Sequence, residues 1–309
     1  MKTIAEISAA AVKALKDSGK EMPFIAAASA ADASTLASLA AAKKQGLGNA
    51  VLIGNKGDIE RTAKESNIDI SGFEILHEPS HSAAAAKAAG LVREGKAQLP
   101  MKGLVETAIF LKAVMKKEGG LNTGKLISHV GVVESAFYPK LLFISDGALN
   151  IAPTLNEKIG IIENAVGLAR DLGIPTPKVA VLAALEQVNP ERMPCTADAA
   201  ILTQMNRRGR IANCIVDGPL ALDNAVHPAS ARIKGIDSPI AADADILITP
   251  SIEAGNMLFK SIMYLGNAKG AGILLGAKAP VILSSRASDA ETRLASIALA
   301  VLNWVKEGV

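Results

Sequence analysis

The chain has 309 residues, half of them hydrophobic but only 3% aromatic, and 33 Lys and Arg against 30 Asp and Glu leave a net charge of +3. That balance excludes a disordered chain and a nucleic-acid binder marked by a strong basic excess. The length suggests two domains at roughly 100–200 residues each.

Cys195 and Cys214 lie far apart and form neither a CxxC pair nor a disulfide framework, which suits a reducing cytoplasm. The opening Met1-Lys2-Thr3-Ile4-Ala5-Glu6 lacks the apolar segment of a signal peptide. No apolar run reaches the roughly 18–20 residues of a membrane span. The nearest, Gly270 to Leu283, is interrupted by Lys278 and Pro280. The expectation is a cytoplasmic protein with neither membrane nor nucleic acid as partner.

In chain order, short β-branched runs alternate with longer Ala-rich segments of helical period, the pattern of α/β units around a mostly parallel sheet. Thr3 to Glu6 reads as a capping box opening a first helix. Strands are predicted at Phe24–Ala27, Val51–Ile53, Phe73–Leu76, Leu126–Val133 and Leu141–Ile144. A second capping box, Thr154 to Glu157, follows Pro153. Further strands are predicted at Val179–Ala183, Ile211–Val216, Ile246–Ile248 and Val281–Leu283, and a third capping box, Ser288 to Glu291, precedes the final helix. No fixed-period repeat and no Gly/Ser linker divides the chain.

Three motifs are weaker than they look. Gly119 to Lys125 fits GxxxxGK, but Leu126 stands where a Walker loop needs Ser or Thr, and a predicted helix precedes it instead of a strand. The glycines at 270, 272 and 276 miss the GxGxxG spacing, and Gly46-Leu47-Gly48 precedes its strand, so a dinucleotide fold is disfavoured. His77 and His81 are four apart, but Pro79 breaks the helix between them and a surface turn is the simpler reading. His129 and His227 read as ordinary core or surface histidines.

More informative are four polar clusters at the predicted C-terminal ends of strands, the edge where open α/β sheets bind ligands. They are Ser145-Asp146-Gly147 with Asn150; Asp217 to Leu220 with Asp223 and Asn224; Thr249-Pro250 leading to Gly255, Asn256 and Lys260; and Ser284-Ser285-Arg286. In the last, a guanidinium able to grip phosphate bidentately stands beside a hydroxyl and a helix N-terminus. A surface arginine paired with Asp289 fits the same pattern equally well.

Read together and in order, these residues resemble the phosphate butyryltransferase branch of the phosphate acyltransferases. The resemblance is carried by Leu99-Pro100-Met101-Lys102-Gly103, Ser128-His129-Val130 with Glu134, and the run Asp146 to Pro153. Lys178-Val179-Ala180, Asp217 to Ala225, Gly255-Asn256 with Lys260, and Pro280 to Arg286 extend it. The matches begin near residue 99; the N-terminal third agrees in pattern only.

The resemblance implies a reversible reaction, short-chain acyl-CoA plus phosphate giving acyl phosphate plus CoA, with butyryl-CoA as the expected substrate. It implies a two-domain α/β fold like the isocitrate and isopropylmalate dehydrogenases. Residues 1–134 and 281–309 would form a discontinuous first domain and 135–280 an inserted second one, with CoA in a cleft between them. It also implies a homo-oligomer, at least a dimer, and no metal requirement. Ser285, Arg286 and Asp289 would be catalytic; Lys102, Gly103, Lys112, Asp146, Asn256 and Lys260 would bind substrate.

Two departures stand out. Thr292 occupies the position at which the acetyltransferase branch carries a proposed Asp base, which leaves Asp289 as the nearby candidate, or a mechanism in which cations favour the thiolate. Lys112 aligns with an anion-binding Arg, and Arg93 matches another basic position less securely. Lys260, one turn from Asn256, would face CoA, or would be an ordinary exposed helix lysine. The alternatives to a butyryltransferase are acetyl-CoA preference, a metal-dependent dehydrogenase on the related fold, and a CoA-binding module with a decayed site.

Overall fold

A computed structural model describes residues 1–307. In chain order its elements begin with α1 (Ile4–Ser18), β1 (Phe24–Ala28), α2 (Ala33–Gln45), β2 (Asn49–Gly54), α3 (Lys56–Glu65) and β3 (Glu74–His77). Next come α4 (His81–Arg93), β4 (Leu99–Lys102), α5 (Thr107–Met115), β5 (Ser128–Glu134), β6 (Leu142–Ser145) and α6 (Leu155–Asp171). They continue as β7 (Lys178–Leu182), α7 (Pro194–Arg207), β8 (Ile215–Leu220), α8 (Leu222–Val226), α9 (Pro228–Ile233) and β9 (Ile246–Ile248). The chain closes with α10 (Ile252–Lys260), a π-helical turn (Ser261–Leu265), β10 (Lys269–Leu275), β11 (Val281–Ile282) and α11 (Ala290–Glu307).

The chain divides into two compact units. One holds Leu126–Gly270 with Met1–Thr3; the other is discontinuous and holds Ile4–Lys125 and the residues from Ala271 onward. The divisions fall nine and ten residues earlier than the motif reading places them. The strand pairing explains both shifts. β5 lies antiparallel to β6 with Gly131 opposite Ile144, and β10 lies antiparallel to β11 with Ile273 opposite Ile282.

In the discontinuous unit the sheet order is β3-β2-β1-β4-β11-β10, parallel from β3 to β11. Parallel strands covered on both faces read as continuous apolar runs, and Ile25 to Ala28 of β1 is fully buried. Few aromatics are available, so small residues let the layers approach: Ala84, Ala85, Ala88 and Ala89 form the buried stripe of α4. α11 buries a nearly unbroken run from Ala295 to Trp304 and packs on α1 and α2.

The continuous unit orders its strands β5-β6-β9-β7-β8, with only the β5–β6 pair antiparallel. Its core gathers Val133, Ile144, Leu182, Leu220, Ile240 and Leu247. The predicted capping box at α6 is present in both directions: Glu157 N donates to Thr154 Oγ1 (3.3 Å) and Thr154 N to Glu157 Oε2 (2.7 Å).

Three strand expectations need correcting. β4 and β10 were not predicted as strands. Pro100 argues against a central strand, but β11 pairs with β4 only at Met101, so the missing N–H disturbs little of the ladder. β8 begins at Ile215, four residues later than predicted, because Asn206 Nδ2 holds the Ile211 and Cys214 carbonyls in a turn (2.9 and 3.0 Å). Asp217 to Leu220 therefore lies inside a strand paired with β7, not in a turn beyond it. Among the described residues no helix is long and apolar enough to cross a membrane.

Candidate active site

The discontinuous unit gathers one group of the predicted residues where β1, β4 and β11 end. Leaving β1, Ser29 takes a left-handed φ of 56°. Its Oγ meets His81 Nδ1 at the start of α4 (2.7 Å). Asp32 then caps α2, its Oδ2 accepting from Thr35 N (3.0 Å) and Thr35 Oγ1. Beside it β4 delivers Lys102 and Gly103. A Cβ on Gly103 would overlap the carbonyl oxygens of Ala28 and Ser29, so glycine is required for this close approach. Gly103 N and Leu104 N donate to those same two carbonyls, both at 2.9 Å.

Lys102 is 0% exposed, and its Nζ donates to Gly103 O (3.1 Å) and Val105 O (3.3 Å). Burial pushes its ammonium down to about 8; the charges of Arg293 and then Arg286 push the same way, and Asp32 opposes them. Desolvation and like charge both disfavour the protonated amine.

After β11 the chain turns through Ser284, Ser285 and Arg286. Ser284 is buried and its Oγ has no partner. Ser285 and Arg286 are exposed. Ser285 Oγ accepts from Ala287 N (3.3 Å), which leaves its proton available to a substrate oxygen. The turn closes with Ser288 N donating to Ser285 O (3.1 Å). α11 is capped by Asp289, whose Oδ1 accepts from Thr292 N (2.8 Å), and not by Ser288 as predicted. The helix therefore begins at Ala290, one residue later than that capping box places it. Lys112 stands exposed on the last turn of α5.

Asp32 and Arg293 belong to this group and escaped the sequence reading. Arg293 is 1% exposed, and its Nη2 lies 3.5 Å from Asp32 Oδ2. Burial lowers its pKa, against the pull of Asp32 and Asp289. The available signal was a charge on the stripe 293, 297, 300 and 304, whose other members are apolar.

A second group lies in the continuous unit, where β6 ends. Asp146 is buried and saturated with donors: Ala148 N (2.7 Å) and Leu149 N (3.0 Å) on Oδ1, and His129 N (3.0 Å), Asn150 N (3.3 Å) and Asn150 Nδ2 (2.6 Å) on Oδ2. Its carboxylate builds the 146–150 turn. α10 packs on that turn: Asn256 Nδ2 donates to Gly147 O (2.9 Å), and a Cβ on Gly255 would overlap Asp146 O. Lys260 ends the helix one turn beyond Asn256 and is exposed. His129 is buried edge-on to Phe259, with ring centroids 6.1 Å apart, and burial holds its pKa below the ordinary imidazole range although Asp146 pulls the other way.

His77 and His81 do different work. His77 ends β3, where its Nδ1 accepts from Lys56 N (3.2 Å), while His81 opens α4. The GxxxxGK segment is a loop from α5 to β5, held by Asn122 Nδ2 on Met115 O (3.1 Å) and Thr123 Oγ1 on Gly276 O (2.9 Å).

Comparison with known proteins places this arrangement. Residues 73–301 match the family model described as phosphate acetyl/butaryl transferase. A phosphate butyryltransferase of Clostridium acetobutylicum is 47% identical over 93% of this chain and 95% of its own. A phosphate acetyltransferase of Rhizobium meliloti is 42% identical over 88% of this chain and 85% of its own. The crystal structure of a branched-chain phosphotransacylase from Enterococcus faecalis V583 superposes with a TM-score of 0.79 at 33% identity, covering 92% of this chain and 99% of that one. The chain belongs to the phosphate acetyl/butaryl transferase family, as its ordered motifs suggested.

Proposed function

We propose that this chain is an acyltransferase that converts a short-chain acyl-CoA and phosphate to an acyl phosphate and free CoA, reversibly, with butyryl-CoA as the preferred substrate. Family membership and the 47% identity to a phosphate butyryltransferase support the reaction class. The observation that carries the site is the edge where buried Lys102 and Arg293 lie behind an exposed Ser285-Arg286.

In the forward direction a phosphate oxygen attacks the thioester carbonyl carbon. A C–O bond forms and the carbonyl oxygen becomes an oxyanion; the C=O then re-forms as the C–S bond breaks, and the leaving thiolate takes the proton that the phosphate gives up. Arg286 holds the phosphate by its planar fork and offsets its charge. The free proton of Ser285 Oγ donates to the oxyanion; one such donor is worth about 3 kcal/mol of barrier. Lys102 adds a positive field behind both. In reverse the CoA thiol, with an ordinary pKa near 8.5, must ionise. Asp289 is exposed and uses one oxygen as the cap, so its second oxygen can accept that proton. The same cations favour the thiolate.

Gly103 admits the close backbone approach that shapes this edge, and Lys112 offers phosphate a point charge. Asp146 and Asn256 hold α10 against the 146–150 turn, and from the end of that helix Lys260 reaches an anionic group of CoA. The reading requires no metal, since Lys102, Arg286 and Arg293 supply the positive charge.

We further propose the two-domain arrangement of the isocitrate and isopropylmalate dehydrogenases, which the continuous unit set between two segments of the other supports. A cytoplasmic homo-oligomer, at least a dimer, fits the exposed Met257, Tyr264 and Leu265.

The test is phosphate-dependent thiol release from butyryl-CoA, with arsenate run in parallel. Thiol release that requires the anion is the expected result. Folded protein that binds CoA but releases no thiol from any short acyl-CoA refutes the proposal and leaves a binding module. Acetyl preference has its own support in the acetyltransferase relatives. Comparing kcat/KM for acetyl-, butyryl- and isobutyryl-CoA separates the two, because one methylene is worth only about 1–3 kcal/mol.

A further inference from the structure

The two bulkiest fully buried side chains among the described residues are both cations, Arg293 and Lys102. Lys102 is held by carbonyls of its own turn. Arg293 reaches further. From the first turn of α11 its Nε donates to Ser288 O (3.2 Å) and its Nη2 to Ser285 O (3.3 Å). One guanidinium thus grips both ends of the turn that carries Arg286 at its centre. The same Nη2 lies 3.5 Å from Asp32 Oδ2, which ties that turn to the cap of α2. Nη1 is buried with no partner.

Packing alone does not account for this residue. An apolar side chain of similar volume commonly serves a buried site as well as a charge does, and a helix whose following turns bury Ile297, Ala300 and Trp304 has no need of a cation at its start. A planar fork that donates in two directions does account for it, and a lysine cannot reproduce that geometry. The preceding residue, Thr292, has its own N–H committed to Asp289, so the helix start and the turn are pinned together by adjacent residues.

We infer that Arg293 is a positioning residue for the acyl transfer: it fixes the Ser285–Ser288 turn and through it the direction of Arg286, without touching substrate. The inference rests on the reading that Arg286 holds phosphate.

The test uses the full chain and the variants R293K and R293M, each assayed at the same interval below its own melting temperature. Limited trypsin digestion, with the fragments identified by mass, reports cutting after Arg286; steady-state thiol release reports kcat and the two KM values. A turn released from its clamp opens locally more often. Cutting after Arg286 is expected to rise about tenfold in both variants, and kcat to fall about tenfold with the acyl-CoA KM nearly unchanged. A purely structural arginine would lower the melting temperature and leave kcat per folded molecule intact. Wild-type cutting and wild-type kcat in R293K overturn the inference, as does a lower kcat with wild-type cutting. If R293M does not fold, R293K carries the comparison. If the wild-type enzyme releases no thiol from any acyl-CoA, the proposed function has failed instead; the digestion still decides whether Arg293 holds the turn, and unchanged cutting overturns that too.

Discussion

Lys102 ties the site to pH in a way that can be measured twice. Its ammonium titrates near 8 in the folded chain, held down first by burial, then by Arg293 and Arg286, with Asp32 opposing. In the unfolded chain an ordinary lysine titrates near 10.4. Between those values the unfolded state binds more protons, so the contribution of this group makes stability rise as pH rises from about 8. Denaturant midpoints at pH 7 and 9.5 are expected to show that rise in the wild type and to lose it in Lys102→Met. Activity carries the opposite sign: the positive field is present below about 8, so turnover should fall as Lys102 neutralises. A pH profile of kcat/KM for phosphate checks it. Arg286→Ala is expected to cut kcat/KM for phosphate by about a hundredfold or more, since the proposed bidentate contact with phosphate is lost, while the melting temperature holds because Arg286 is exposed. Ser285 and Arg286 were legible in the sequence because they follow an apolar strand and precede a helix start. Arg293 was not, because a charge inside a helical run reads as solvent-facing until the stripe it shares is counted, and Asp32 was not, because an Asp before a helix reads only as its cap.

At the scale of single elements, local hydrogen-bond chemistry was the part most readable in advance. Thr154 and Glu157 form the reciprocal cap that their spacing demands. Thr154→Ala should cost about 1 kcal/mol, read as a shift in denaturant midpoint with activity unchanged. The cap of α11 stands one residue later than the spacing places it, on Asp289, whose Oδ1 accepts from Thr292 N. β4 was hidden by Pro100 and by a lysine that looks like a surface residue and is buried. The packing of α10 on the 146–150 turn depends on Gly255, where any Cβ would overlap Asp146 O. Gly255→Ala is expected to destabilise by about 1–3 kcal/mol and to raise the KM for acyl-CoA more than that for phosphate. Equal effects on both KM values would separate this turn from CoA binding.

At the scale of the whole chain, the alternation of strands and helices made the α/β class legible, and the order of the motifs made the family legible. The unit boundaries were harder, because the antiparallel pairs that decide them leave no mark in hydrophobic period. The continuous unit has its own buried core and internally paired strands. A chain of residues 126–270 is therefore expected to unfold cooperatively by itself, as circular dichroism during heating would show; a featureless melt would contradict that. The other unit has a different history on the ribosome. Its β4 is translated long before β11 and α11, the elements that cover that strand's flank and bring Ser285, Arg286 and Arg293 to Lys102. Until then β4 presents an unpaired apolar edge, the kind of surface that recruits chaperones or aggregates. A nascent chain carrying everything up to residue 270 holds β1 to β9 and Lys102 but lacks Ser285, Arg286 and Arg293, so the proposed phosphate site is completed only in a late step of synthesis.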